Sequence, residues 1–250
     1  MTKQKKPRKR IMTRGLKVSL IVFLTAMALA LAAVLQSYLF HVETIEVEGL
    51  ETLDKQEIID LSGIKIGDDL LFISESAVAE NLKQQPYAEL VEIRRSLPDT
   101  VILEIRERKA DIAIKYGESY AYLDTDGLVL QINSTLGEGK TEVLGLELNA
   151  AVVGEQAKSS DDYLMTVLQQ VLKSLEENDL LSEIQRIDLQ QPSAIMLYTT
   201  QGLGVRLGNS ENLDKKMQWL TTLLPRMIEE GKRNGILDVS SGNSASDIIE

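Results

Sequence analysis

The sequence predicts an α+β chain: one transmembrane helix, then two modules outside the membrane, the first in the order β-α-α-β-β and the second a mixed β domain with flanking helices. Three observations predict it. Val18 to Phe40 is an uncharged, mostly apolar run set between a basic head and an acidic body. Short segments of period-two alternation follow it, and two long segments of helical period begin near Asp161 and Leu213.

At the helical rise, the roughly 23 residues of the apolar run reach about 35 Å, enough to cross a hydrocarbon core. Before it stand Lys3, Lys5, Lys6, Arg8, Lys9, Arg10, Arg14 and Lys17, with no acidic residue among them. An excess of Lys and Arg marks the cytoplasmic side. Residues 1–17 therefore read as a cytoplasmic tail, 18–40 as the span of a single-pass type II protein of the cell membrane, and everything after His41 as extracytoplasmic. A cleaved signal peptide is the competing reading, because Ala28-Leu29-Ala30 and Ala30-Leu31-Ala32 have the form of small-residue cleavage sites. Apolar character continues through Val34, Leu35 and Tyr38-Leu39-Phe40 without the polar stretch that leads to a cleavage site, which favours an anchor.

Charge follows the same division. The 250 residues carry 27 Lys and Arg against 38 Asp and Glu, a net of −11, and setting aside the eight basic residues of the head leaves 19 against 38, or −19. So acidic a body repels nucleic acid and anionic polymers unless a basic patch intervenes, and Arg94-Arg95 and Arg106 to Lys109 sit among glutamates. With no cysteine, the fold has neither disulfides nor thiolate metal sites, so its stability rests on buried apolar surface.

The first module begins with a strand. Ile45 and Val47 alternate with Glu46 and Glu48 and end at Gly49. Asp54, with Glu57 three residues on, caps a short helix carrying Ile58, Ile59 and Leu61, which Ser62-Gly63 stops. A second short helix starts near Ser74, presents Val78, Ala79 and Leu82, and is broken by Pro86. Val91 and Ile93 then share one face of a strand, Leu97-Pro98-Asp99 turns the chain, and Val101, Leu103 and Ile105 return the same face. A small sheet with both helices on one face buries every apolar stripe in this order.

This segment resembles a POTRA domain. Phe40-x-Val42-x-x-Ile45-x-Val47-x-Gly49 is similar to the juxtamembrane signature of the FtsQ/DivIB family of bacterial cell-division proteins. The resemblance extends to the order of parts, basic tail, span, POTRA domain over 41–109, β domain over 110–240 and a flexible polar tail over 241–250.

Within the second module, Ala121-Tyr122-Leu123 and Leu128-Val129-Leu130 flank Asp124-Thr125-Asp126-Gly127, a hairpin signal similar to the family's turn there. A calcium loop fits less well, because Leu128 stands where an oxygen ligand is needed and no glutamate closes the loop. Asn133 to Lys140 reads as a loop. Asp161 and Asp162 open a helix with Leu164, Val167, Leu168, Val171, Leu172 and Leu175 on one stripe. Arg186 to Leu189, Ile195 to Tyr198 and Gly204 to Leu207 read as strands. Leu213, Met217, Leu220, Leu224 and Met227 make a last helix, kinked or shortened at Pro225. Ile236-Leu237-Asp238-Val239 resembles the family's closing strand, with Ser240 where that family commonly has arginine.

Catalysis finds little material. The sole histidine, His41, stands at the membrane surface, and without cysteine the Ser-His and Cys-His nucleophile arrangements are excluded. Ser62-Gly63-Ile64-Lys65 fits S-x-x-K, but it ends a helix, and Lys140-Thr141-Glu142 lacks the glycine of a K-T-G partner and precedes Ser241-Gly242-Asn243. Glu176, Glu177 and Asp179 read as the solvated end of a helix. No catalytic residue, cofactor or metal set is expected, nor any small-molecule or nucleic-acid ligand. Function then reads as protein binding, with exposed strand edges recruiting an extended segment. The resemblance implies a non-enzymatic scaffold at the division septum, with FtsB/DivIC-type and FtsL-type partners, that supports septal peptidoglycan synthesis. By family analogy Ile236, Leu237, Asp238 and Val239 lie at or beside the partner-binding edge, and proline at Leu237 or Val239 is expected to weaken the complex more than the fold. The alternative is a membrane-anchored envelope protein that uses its POTRA domain in protein transport or assembly.

Overall fold

The structure, a computed structural model, describes residues 14–232 and 235–248. The basic head before Arg14 lies outside the described residues. The chain divides into two compact units, residues 1–80 with 90–105 and residues 81–89 with 106–250.

In chain order the first elements are α1 (Arg14–Leu39), β1 (Thr44–Glu48), α2 (Lys55–Ser62), α3 (Glu75–Leu82), β2 (Ala88–Ser96) and β3 (Thr100–Glu107). Helix α1 runs over 26 residues and takes in the apolar run as far as Leu39. Among the described residues no helix is long and apolar enough to cross a membrane. Every side chain described along Val18–Leu31 is exposed, Phe23 at 63% and Leu29 at 72% among them.

The β-α-α-β-β order of the first unit follows the sequence pattern. Asp54 opens α2 by accepting the N–H groups of Gln56 and Glu57 at 2.7 and 3.0 Å, and Gly63 closes it in the left-handed region at φ 76°. The sheet has the order β1-β3-β2, with β1 parallel to β3 and Thr44 opposite Thr100. A parallel pair needs a crossover, which the α2–α3 segment supplies. Val42, Ile58, Ile64, Leu70, Val78, Ile93, Val101, Leu103 and Ile105 are buried as its core. Val91, expected beside Ile93, is 51% exposed because it lies on β2, the edge of the sheet. On the open face Arg94 sits between Glu48, Glu92 and Glu104, so three carboxylates in neighbouring strands share one guanidinium.

The second unit continues with β4 (Ile112–Tyr116), β5 (Ser119–Leu123), β6 (Val129–Asn133), β7 (Thr141–Leu144), β8 (Leu148–Ala150), β9 (Lys158–Ser159), α4 (Asp162–Glu177), β10 (Ile184–Asp188), β11 (Ile195–Thr199), β12 (Gly204–Gly208), α5 (Leu213–Glu229), β13 (Ile236–Asp238) and β14 (Ser246–Ile248). Nine strands make one mixed sheet in the order β14-β13-β12-β11-β10-β7-β4-β5-β6. Alternation decides which side each residue serves. Ile112 and Ile114 enter the large core with the stripes of α4 and α5, whereas Ala113, Tyr122 and Leu130 form a small cluster of their own. Tyr122, 1% exposed, donates its hydroxyl to the Thr135 carbonyl and accepts the Gly137 N–H, so it pins the polar loop between β6 and β7.

Three features depart from the sequence reading. Helix α5 passes through Pro225 to Glu229 and is not shortened there. The segment after Val239, expected to be a flexible tail, forms β14 over Ser246–Ile248, antiparallel to β13. Its turn is organised by the Ser241 hydroxyl, which accepts the Asn243 and Ser244 N–H groups, and by Gly242 at φ 67°. Strands β4 and β7 were not anticipated, and they form the parallel middle of the sheet.

Candidate partner-binding edge

A sheet recruits an extended peptide through unpaired backbone groups, so the two ends of the nine-stranded sheet are where such a site can be. At the β6 end the rail is already occupied where it starts. Val129 donates to the Glu155 carbonyl at 3.0 Å and accepts the Gly154 N–H at 2.8 Å, and Leu128 bridges Gln156. The opposite end is a three-residue strand, β14, laid on a three-residue strand, β13.

The structure places Ile236, Leu237, Asp238 and Val239 together at that end, one strand inside the edge. Leu237 and Val239 are 1% and 0% exposed and belong to the core, while Ile236 and Asp238 are half-buried on the other face. Backbone directions alternate as well. Gly204 donates to the Gly235 carbonyl at 3.0 Å and Val239 donates to the Arg206 carbonyl at 3.1 Å, so the odd-numbered residues bond inward to β12. Ile236 and Asp238 therefore turn their N–H groups outward, opposite Ile248 and Ser246 of β14. This corrects the proline expectation: proline at Leu237 or Val239 breaks the ladder to β12 and disturbs the core, the Ile236 and Asp238 N–H groups face β14, and the open rail at this end is the outer side of β14.

Polar contacts stiffen this end. Arg206 Nη1 pairs with Asp238 Oδ2 at 3.0 Å, and Asp238 Oδ1 accepts the Ser240 backbone N–H at 2.9 Å and its hydroxyl at 2.7 Å. Burial raises the Asp238 pKa, but the Ser240 bonds and then Arg206 outweigh it and hold the carboxyl below its ordinary value. A depressed carboxylate contributes stability that is complete above the ordinary value and is lost as pH falls through the lowered one. Asp238→Asn is thus expected to be less stable than the parent at pH 7, with the gap closing below about pH 4. Urea midpoints read from Trp219 fluorescence at both pH values check this, and a gap of constant size refutes it.

Beneath the turn after Val239, Lys216 is 1% exposed and reaches the Asn209 carbonyl and Oδ1 at 2.7 and 3.2 Å. Burial pulls this ammonium below its ordinary pKa. Gly208, at φ 75°, leaves room for Ser240, because a Cβ there would lie 2.9 Å from the Ser240 Cβ. Sequence reading missed Lys216. Its position on the apolar stripe of α5, one residue before Met217, was the available signal.

The residues weighed for catalysis are used structurally. The Ser62 hydroxyl donates to the Ile59 carbonyl at 2.7 Å and accepts the Ile64 N–H at 3.2 Å. Glu176 accepts the Thr125 hydroxyl at 2.8 Å, and Glu177 lies 3.9 Å from Lys173. Among the described residues no group of three or more His, Cys, Asp or Glu is arranged to hold a metal ion. Two shallow cavities of about 350 and 380 Å³ flank the loop before β7, lined by Lys140, Glu142 and Arg186 on one side and by Asp111, Glu176 and Asp179 on the other.

The FtsQ-type POTRA domain matches residues 40–108, and the C-terminal domain of cell division protein FtsQ/DivIB matches residues 113–240. The chain belongs to the FtsQ/DivIB family of cell-division proteins. The DivIB of Clostridium botulinum strain Hall is 27% identical over 239 residues, covering 95% of this chain and 91% of that protein. The FtsQ of Corynebacterium glutamicum is 26% identical over 220 residues, 86% of this chain and 92% of its own. The FtsQ of Geotalea daltonii is 30% identical over 174 residues, 69% and 62% of the two chains. In FtsQ/DivIB terms, β4 to β13 make up the C-terminal domain, and β14 lies beyond its matched region.

Proposed function

We propose that this FtsQ/DivIB chain is a non-enzymatic, bitopic scaffold of the division machinery. Its head is cytoplasmic and residues 18–40 anchor it in the cell membrane. A POTRA domain over 41–109 and a β domain over 110–240 stand outside, enriched at the septum. It binds single-span coiled-coil proteins of the FtsB/DivIC and FtsL type, and through them supports septal peptidoglycan synthesis. The observation that carries this reading is the pair of family matches, which together take in almost everything after α1. The anchor is supported by the uncharged run Val18 to Phe40 of the sequence and by the exposure of those of its side chains that are described, Val18 to Leu31. Val18, Ile21, Val22, Phe23, Leu29 and Leu31 are each at least 60% exposed, a helix apolar on all sides that water does not tolerate.

The docking mode that fits the chemistry is strand addition at the β14–β13 end, where the opposite rail is already filled by Gly154 and Glu155. The edge strand there is β14, whose Ile248 and Ser246 pair with Ile236 and Asp238, so Asp247→Pro removes the N–H that faces outward while leaving the β13–β14 ladder. Capture of a DivIC-like partner from detergent-solubilised membranes is expected to fall at least about tenfold, with the Trp219 unfolding midpoint little changed. Val239→Pro serves as the contrast, because it should lower that midpoint. Undiminished capture by Asp247→Pro would place the site elsewhere. Failure of the unmodified chain to capture any such protein would remove the scaffold reading altogether.

A further inference from the structure

The exposed apolar side chains of the first unit are not scattered. Beyond α1 they are Ile66 at 65%, Leu71 at 39%, Phe72 at 76%, Val91 at 51% and Leu97 at 60% exposed. All but Val91 belong to two loops held by backbone hydrogen bonds to the residues that directly follow α1. Leu70 donates to the Phe40 carbonyl at 3.0 Å, Val42 donates to Asp68 at 2.8 Å, and Gly67 donates back to Val42 at 2.8 Å. The turn before β3 is tied to the same place, because Glu43 and Thr44 both donate to the Asp99 carbonyl, at 2.8 and 3.3 Å. The parallel pairing of β1 and β3 makes this inevitable: their first residues, Thr44 and Thr100, are opposite each other.

The loop that carries Ile66, Leu71 and Phe72 is also braced by side chains. Arg95, from β2, bonds the Leu70 carbonyl through Nε at 3.0 Å and the Ile73 carbonyl through Nη2 at 2.8 Å. Asp69 accepts the Leu71 N–H at 2.9 Å and Asp68 accepts the Lys65 N–H at 2.8 Å, so both carboxylates are turned to backbone donors. An apolar rim is therefore fixed within one or two residues of where the chain leaves α1.

We propose that Ile66, Leu71, Phe72 and Leu97 form a membrane-resting rim that inserts at the lipid interface and sets the orientation of the first unit on the bilayer. The proposal rests on the reading of α1 as the anchor, since that reading puts Phe40 at the membrane surface. Isolated exposed apolar residues are ordinary on any protein surface. Four on two loops at a single end, tied to the exit of an apolar helix, are the arrangement by which interfacial segments hold a domain against lipid.

The absence of cysteine makes the test direct. Single variants Phe72→Cys, Leu97→Cys, Lys55→Cys and Leu24→Cys of the full chain are labelled with an environment-sensitive fluorophore. They are then reconstituted into phosphatidylcholine vesicles containing spin-labelled lipid. Probes at 72 and 97 are expected to be quenched at least twofold more than the probe at 55, which begins α2 at the far end of β1. Equal quenching at 55, 72 and 97, with strong quenching at 24, overturns the rim and leaves the anchor standing. No quenching at 24 overturns both. If the probes at 72 and 97 change only when a coiled-coil division protein is added, the rim docks protein and the lipid proposal is wrong.

Discussion

Gly49→Ala is expected to unfold the first unit while leaving the second folded. Gly49 ends β1 at φ 85°, a region that alanine enters only with strain, and a Cβ built there lands on the Ile105 carbonyl oxygen of β3. The obstacle is backbone in the middle of a strand, not a movable side chain, so relief requires separating β1 from β3. A cost of about 3 kcal/mol or more follows from the backbone strain and the displaced pairing together. Such a loss is a large fraction of what a small unit possesses. Hydrogen exchange separates the two units, with protection of Thr44–Glu48 and Thr100–Glu104 disappearing while that of β10 to β12 persists. Full protection of β1 in the variant would show that the strand can shift to admit a methyl group. Trp219 lies on α5, so its fluorescence reports the second unit independently.

The second large effect belongs to Arg108→Met. Arg108 is 16% exposed at its side chain and pairs with Asp124, whose side chain is 6% exposed, and with Glu89 at 3.1 Å and Asp126 at 3.3 Å. Asp124 also accepts the Leu128 N–H through Oδ1 at 2.8 Å, which holds the hairpin turn to β6. Removing the guanidinium leaves a carboxylate in a site that solvent barely reaches, and breaking a buried pair from one side costs about 3 to 5 kcal/mol. The double change Arg108→Met with Asp124→Asn is expected to recover most of that loss, because the amide keeps the acceptor for Leu128 and carries no charge to desolvate. Urea unfolding followed at Trp219 measures both. If the single variant lies within about 0.5 kcal/mol of the parent, the pair contributes no more than an ordinary surface bridge.

Arg106 stands beside this pair and illustrates how position decides the outcome. It shares Glu89 with Arg108, and the hydrogen bond to Glu89 is the main cause that keeps its pKa above the ordinary value, against the opposing effect of partial burial. Its side chain is 62% exposed, so solvent screens the interaction and little stability is expected from it. Two arginines two residues apart on one chain segment thus have very different consequences.

Much of this architecture was legible from periodicity and end signals. The Asp54 and Asp161 caps, the stripe of α4 from Val167 to Leu175, the Asp124–Gly127 turn and the alternation in β3 are local, and each is fixed by residues within a few positions of one another. The resemblance of the Phe40–Gly49 segment and the order of parts pointed to the family that the comparisons establish. Glycine at the end of β1 could be read as a stop, but its clash partner could not, since Ile105 is far away in sequence and reaches it only through the β1–β3 pairing.

Pairing between distant segments was decided by the tertiary structure. Alternation states which residues share a face and says nothing of which strand lies alongside, so the β10-β7-β4 centre, built from parallel neighbours far apart in the chain, left no local signal. The same reason governs the candidate edge. Ile236 to Val239 were found as a strand by sequence, but whether that strand ends the sheet depends on Ser246–Ile248 folding back over it, and the outward direction of the Ile236 and Asp238 donors depends on its register with β12. Composition and local order set the kinds of elements, the acidic body and the apolar helix. Free edges, buried charges and the clustering of Ile66, Leu71, Phe72 and Leu97 arise only when distant backbones hydrogen-bond, because each is a property of two segments and not of one.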